Sequence, residues 1–195
     1  MLEVADRINS KEELKEWIKY ESSKYPSGGG IRKILSISEG DVLKKHQVIL
    51  RKTEYFLNTG NKICAAFYKL RLNRIQNKYA LHIPVNTCGK GLKIMHVGPV
   101  LMNGRVTVGR DCSFHINTAL VAGGTNDDVP HLENGVVVGV GAVILGGVHL
   151  AENIAVGANA VVNRSFDEPD IAIAGVPAHK VSDNGTTHWN TKQKK

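Results

Sequence analysis

From residue 108 onward an apolar residue returns at every sixth position, and this spacing constrains the chain more than any other feature. Val108, Phe114, Leu120, Leu132, Val138, Ile144, Leu150, Val156 and Val162 all lie on it. Four places after each comes a mostly small or aliphatic residue: Cys112, Thr118, Gly124, Val136, Ala142, Val148, Ile154 and Ala160, with Phe166 the large exception. Glycine follows directly at Gly109, Gly139 and Gly157. The one skipped step, at Asn126, opens the polar segment NDDVPH and leaves the register intact. A period of six is neither the 3.6 of a helix nor the 2 of an ordinary strand. It fits a parallel β-helix with three short strands per coil, in which each hexad turns one corner of a triangular prism. The apolar residue points into the prism and the small one permits the tight corner.

The first eighty residues follow a different rule. Ser10-Lys11-Glu12-Glu13 has the pattern of a capping box, and Leu14, Trp17 and Ile18 then recur at helical spacing. Ser27-Gly28-Gly29-Gly30 breaks the chain. A second helix is predicted over 39–58, with Gly60 as its stop signal, and a third over 62–78. On the third, Ile63, Phe67, Leu70 and Arg74/Ile75 trace one face, while Lys62, Lys69, Arg71 and Lys78 form a basic stripe. The stripe reads as a solvated face or as an attachment to a membrane surface or a phosphate-bearing acceptor. The expected organisation is a helical region over 1–80, a β-helix domain over 81–181 and a polar, basic, disordered tail over 182–195.

Composition narrows the function classes. The net charge of +7 favours anionic partners in general, yet no basic and aromatic residues interleave as in a nucleic-acid-binding motif. Cys64, Cys88 and Cys112 are widely spaced and form no CxxC, which argues against a disulfide framework or a zinc knuckle. The eight histidines include no HxxxH or HxH pair, so no metal is expected. The opening residues do not follow a signal-peptide pattern, and no apolar run approaches the roughly 18–20 residues of a membrane span, so a cytoplasmic protein is expected.

One histidine stands out. His96 lies in the apolar, Gly/Pro-punctuated run KIMHVGP, and by itself it reads as a satisfied structural residue, a ligand or a base. The segments VGRDCSFHINTALVAGGT, LENGVVVGVGAVILGGVHLAENIAVGANAVVNRS and IAIAGVPAHKV resemble the hexapeptide-repeat acyltransferases. IPVNTCGKGLKIMHVG is similar to the serine acetyltransferase-like branch at its segment ending in the catalytic histidine. The helical lead-in, RKTEYFLNTGNK with FYKLRLNR, resembles members found among polysaccharide-assembly enzymes. The resemblance implies a left-handed β-helix, against the usual right-handed crossover, and a homotrimer with acetyl-CoA lying between neighbouring prisms. It implies direct transfer of acetyl to a hydroxyl or amine, with His96 at the position of the catalytic base.

The chemistry suits those residues. A hydroxyl is a poor nucleophile at neutral pH, and a histidine can take its proton as it attacks the thioester. The oxyanion that forms needs closely approaching donors, and the backbone at Gly123 and Gly124 is a candidate, alternatively a steric corner. His115 and Asn103 are further candidates for the catalytic site, as orienting or acceptor-binding groups, with His82 and His131 weaker. By the same resemblance Gly141, Gly157 and Ala158 would let the pantetheine arm run along the prism edge, and Lys180 would meet the adenosine phosphates. Ordinary corner packing and a solvated basic end are the alternatives. Cys88 and Cys112 read as small packing residues rather than nucleophiles.

The sequence departs from the serine-specific pattern at three places. Leu81 and Met95 stand where that branch carries Asp residues, and Asp128-Val129 stands where it carries an Arg-His pair that holds the serine carboxylate. An aspartate there would repel a carboxylate. The expectation is therefore an acetyl-CoA-dependent O-acetyltransferase acting on a sugar hydroxyl in surface or capsular polysaccharide synthesis. Serine O-acetylation for cysteine synthesis is the alternative, and a non-catalytic β-helix binding module a further one, with N-acetylation of an amino-sugar nucleotide a lesser variant.

Overall fold

The computed structural model describes residues 6–25, 38–125 and 127–187. Among the described residues three helices come first: α1 (Lys11–Ser23), α2 (Glu39–Asn58) and α3 (Lys62–Tyr79). Fourteen short strands follow, β1 (Leu81–His82), β2 (Lys93–Ile94), β3 (Val100–Met102), β4 (Thr107–Val108), β5 (Ser113–Phe114), β6 (Thr118–Val121), β7 (His131–Leu132), β8 (Val137–Val138), β9 (Val143–Leu145), β10 (His149–Leu150), β11 (Ala155–Val156), β12 (Val161–Val162), β13 (Ala172–Ala174) and β14 (His179–Ser182). They form three sheets, ordered β1-β3-β6-β9-β12, β4-β7-β10 and β2-β5-β8-β11-β13-β14. Every described pairing is parallel except the last, β13 with β14. The three sheets are the faces of the predicted prism.

The hexads place the core. Phe114, Leu120, Leu132, Val138, Ile144, Leu150 and Val162 are fully buried. Most residues four places on are buried too, Cys112, Val136, Ala142, Ile154 and Ala160 among them, so they fill the prism as well as permitting its corners. The skipped step has a structural counterpart. Phe114 pairs with Val138, whereas Val138 pairs with Val156, so the coil containing 122–130 is one hexad longer than the next. The extra hexad leaves the prism as a loop, and the sheets resume in register. Corners turn on left-handed residues such as Asn117, Gly141 and Asn159, where only glycine and short polar side chains are tolerated.

The helices close the first coil. Strand β2 ends its sheet, and its free edge would otherwise expose unpaired backbone groups. Side chains from the helical region take those bonds: Gln47 Nε2 donates to Leu92 O at 2.6 Å, and Ile94 N donates to Tyr25 Oη at 2.9 Å. Arg51 on α2 is the centre of the junction. It is fully buried, pairs with Glu21 at 2.7 Å and Glu54 at 2.8 Å, and donates to the carbonyls of Cys88 and Gly89 at 2.9 and 2.8 Å. The Trp17 ring covers its guanidinium at 4.9 Å.

Two expectations meet a different outcome. On α3 the buried residues are Ala65, Leu72, Ile75 and Gln76, while Ile63, Phe67 and Leu70 face outward. The apolar face read from the sequence is thus not the one packed on α2. At the other end, part of the expected tail is docked: Thr186 is buried, its hydroxyl donates to Gly135 O at 2.9 Å and its amide to Asn153 O at 2.9 Å. The Gly-rich break at 27–30 and residues 188–195 lie outside the described residues. Among the described residues no helix is long and apolar enough to cross a membrane.

Candidate active site

His96 sits where the chain leaves β2 and turns the corner toward β3. Its side chain is exposed, as a base that must meet a substrate requires. His115 occupies the same corner one coil along, after β5, with ring centroids 6.2 Å apart. Burial lowers the pKa of His115, and the charges of His96 and Lys93 add to the effect. Both effects favour the neutral form of His115.

The unexpected member is Glu39. Helix α2 begins with Ser38 as N-cap and Glu39 as its first residue, and the docking of α2 on the first coil brings that end beside the His96 corner. Glu39 Oε1 accepts from Val97 N at 2.6 Å, and Oε2 lies 3.3 Å from His96 Nδ1. The Val97 amide, and after it His96, hold the carboxyl below the usual carboxylate range despite the opposing effect of partial burial. An ionised Glu39 favours the tautomer with hydrogen on Nδ1, which leaves Nε2 as a bare acceptor. Leu81, one of the positions where the resemblance led to an expected Asp, is fully buried in the prism. The carboxylate beside His96 thus comes from the helical region and not from the repeat. The sequence signal for Glu39 was ordinary, since an acidic residue after a capping serine is explained by the helix end alone.

The other candidates fall into separate places. Asn103 lies at the next corner, beyond β3, where its Oδ1 accepts from Arg105 N at 3.0 Å. Gly123 and Gly124 also belong to that corner. Gly123 stacks on Gly146, while Gly124, at φ +81°, has open space where a side chain would be. One chain therefore brings His96, His115 and Glu39 together and sets Asn103, Gly123 and Gly124 at another edge of the same prism. Gly141, Gly157 and Ala158 line the His96 edge in later coils. A side chain at Gly141, at φ +73°, would be strained and would meet Asn159 Oδ1, and one at Gly157 would meet Ala174 Cβ at 2.8 Å, so the corners already account for both glycines. Ala158 is exposed. Lys180 on β14 pairs with Glu168 and Asp183, both at 2.6 Å.

His82 is exposed on β1. His131 stacks on His149 at 5.5 Å on the β4-β7-β10 face, with His149 bound to Glu133 at 3.0 Å and Asp167 at 2.6 Å. Burial pushes the Cys88 and Cys112 thiols up to about 12, which keeps both protonated at neutral pH. Among the described residues no group of three or more His, Cys, Asp or Glu is placed to hold a metal ion.

A six-residue repeat wound into a prism, with an exposed histidine at one edge, defines a left-handed parallel β-helix protein of the hexapeptide-repeat kind with an N-terminal helical segment. No family profile matches the chain. Its sequence is serine acetyltransferase-like. It is 28% identical over 149 residues to serine acetyltransferase of Buchnera aphidicola subsp. Acyrthosiphon pisum, covering 74% of this chain and 53% of the relative. To that of Synechococcus elongatus it is 32% identical over 118 residues, covering 58% and 47%. The chain spans about half the length of these curated relatives. Among solved structures, serine acetyltransferase of Brucella abortus in complex with coenzyme A shares the fold at a TM-score of 0.60 and 22% identity, over 88% of this chain and 67% of that one. The Neisseria gonorrhoeae enzyme in complex with serine gives 0.62 and 21%, over 89% and 71%.

These relatives correct the expectation of a polysaccharide sugar as acceptor, because they are serine acetyltransferases. The sugar reading rested on Leu81 and Met95 at the lost Asp positions and on Asp128-Val129 in place of the Arg-His pair; the first of these grounds weakens because Glu39 brings a carboxylate to His96 from α2.

Proposed function

We propose that the chain is an acetyl-CoA-dependent serine O-acetyltransferase with His96 as general base and Glu39 as its positioning residue. The carrying observation is the exposed His96 imidazole with a carboxylate on Nδ1. Nε2 then takes the proton of the serine hydroxyl as its oxygen attacks the thioester carbonyl. The tetrahedral intermediate collapses with loss of the C–S bond, and the proton passes from His96 to the departing coenzyme A sulfur. Supporting this reading are the serine acetyltransferase relatives and the likeness to the structures that hold coenzyme A and serine.

A homotrimer completes the site in this reading. Gly123 and Gly124 lie at a different prism edge from His96, so a neighbouring copy is needed to bring them to its face as oxyanion donors. Acetyl-CoA would run along the edge formed by Gly141, Gly157 and Ala158. Lys180 would meet its phosphates only by exchanging them for Glu168 and Asp183.

The test is release of the coenzyme A thiol with L-serine as acceptor. Wild type should turn over, and His96→Ala should lose about 10²–10⁴-fold in rate with its thermal transition unchanged. Wild-type rates in His96→Ala would refute the base, and absence of turnover with L-serine would refute the acceptor.

A further inference from the structure

Helix α3 carries a surface that acetyl transfer does not use. Its buried side is Ala65, Leu72, Ile75 and Gln76. On the opposite side Ile63, Phe67 and Leu70 are 86%, 54% and 66% exposed. Their spacing of four and three residues puts them in one stripe along the helix. At 100° per residue, Arg71 and Lys78 flank the stripe on one side, Arg74 lies within it, and Lys62 and Lys69 lie further round on the other side, beyond Ala66, Asn73 and Asn77. All of these cations are exposed, and α3 contains no acidic residue. Arg71 lies over the Phe67 ring at 5.6 Å, so its guanidinium borders the apolar stripe.

The basic flank continues into a groove of about 320 Å³ between α3 and α2, where Lys45, Arg71, Arg74 and Lys78 surround a floor that includes Ile49 and Ile75. We propose that α3 is an interfacial helix that docks the protein on an anionic lipid surface, with Ile63, Phe67 and Leu70 entering the headgroup layer and the cation-lined groove receiving lipid phosphates.

Charge complementarity selects this occupant. An apolar stripe containing one cation and bordered by others, on a helix with no acidic residue, is the arrangement of helices that lie in the plane of an anionic interface. A second copy placed α3 to α3 would oppose like charges, and three side chains fall well short of the roughly 800 Å² per partner of a stable protein interface. The chain's net charge of +7 adds attraction in the same sense.

The experiment is cosedimentation of the full chain with vesicles of phosphatidylcholine alone or mixed with phosphatidylglycerol. Binding is expected to the mixed vesicles only, and to fall as salt is raised. Each cation near the surface contributes about fivefold to partition, so the double variant Arg74→Gln/Lys78→Gln should bind about 25-fold more weakly. Leu70→Glu should lose at least about tenfold, since it removes apolar area and adds a repelled charge. Both variants alter exposed side chains and should retain the wild-type thermal transition and thiol release. Equal binding of wild type and Leu70→Glu, or no binding to mixed vesicles, overturns the proposal. So does complete displacement by inorganic phosphate matched to the lipid phosphate, which would make the groove a free-phosphate site. A fall in sedimentation mass of Leu70→Glu without lipid, with vesicle binding retained, would make the stripe a contact between copies and equally overturn it.

Discussion

Glu39→Gln isolates the contribution of the carboxylate that reaches His96 from outside the β-helix. Glutamine keeps the chain length and an oxygen to accept from Val97 N, so the local backbone has no reason to move. What changes is the group facing Nδ1. The carboxylate lies 3.3 Å from Nδ1 and, in the proposed reaction, would attract the imidazolium formed as the acceptor proton is taken. At that separation two unit charges gain about 1.3 kcal/mol at the dielectric of water and about 5 kcal/mol at an effective dielectric near 20. The side chains of His96 and Glu39 are 56% and 48% exposed, which places the pair toward the watery limit. About 2 kcal/mol is the consistent figure, or roughly thirtyfold in kcat. The amide would also turn an N–H toward Nδ1 and so favour the tautomer with hydrogen on Nε2, which cannot accept the proton that the proposed reaction requires it to take. The assay is thiol release from acetyl-CoA with saturating L-serine, run beside a thermal melt. A variant that keeps wild-type kcat, or that loses only in KM, would refute the assignment. Glu39→Asp, which retains the charge, should recover more of the rate than Glu39→Ala.

Arg51→Leu should destabilise the chain by about 3–5 kcal/mol, because it leaves Glu21 and Glu54 buried without their partner; a melting temperature near wild type would contradict this. Acid should weaken the helical region through His46. Burial, with a smaller effect from the Arg51 charge, lowers its pKa from 6.5 to about 4. The unfolded chain therefore takes up a proton first as pH falls, so stability present above about 6.5 is lost progressively toward pH 4, by up to about 3 kcal/mol. Denaturant melts at pH 7 and pH 5 measure the loss, which should shrink in His46→Gln; an unchanged pH dependence in that variant would rule out His46 as the cause.

Some of this was legible in the residues alone. The hexads named the inward positions, since a residue type repeated every sixth place has only one side of a three-cornered coil to occupy. A capping pattern marked the start of the first helix, as Ser10 confirms by accepting from the amide of Glu13. The resemblance around KIMHVGP directed attention to His96 for the same local reason: its neighbours in sequence are its neighbours on the corner.

Partnerships between distant elements were not legible. Nothing in ISEGD says that Glu39 will stand beside His96, because that contact exists only once Arg51, Gln47 and Tyr25 have fixed the helical region on the first coil. The outward face of α3 has the same origin. Helical spacing identifies which residues share a side, and here Ala65 and Leu72 pack inward while Phe67 and Leu70 remain outside. Asn103 was near His96 in number yet belongs to another edge of the prism. The sequence by itself determined the repeat and the side of the chain each hexad buries, because those follow from period and local sterics. The tertiary structure alone decided which carboxylate serves His96 and which apolar side chains stay exposed, because both depend on how two separately patterned halves dock.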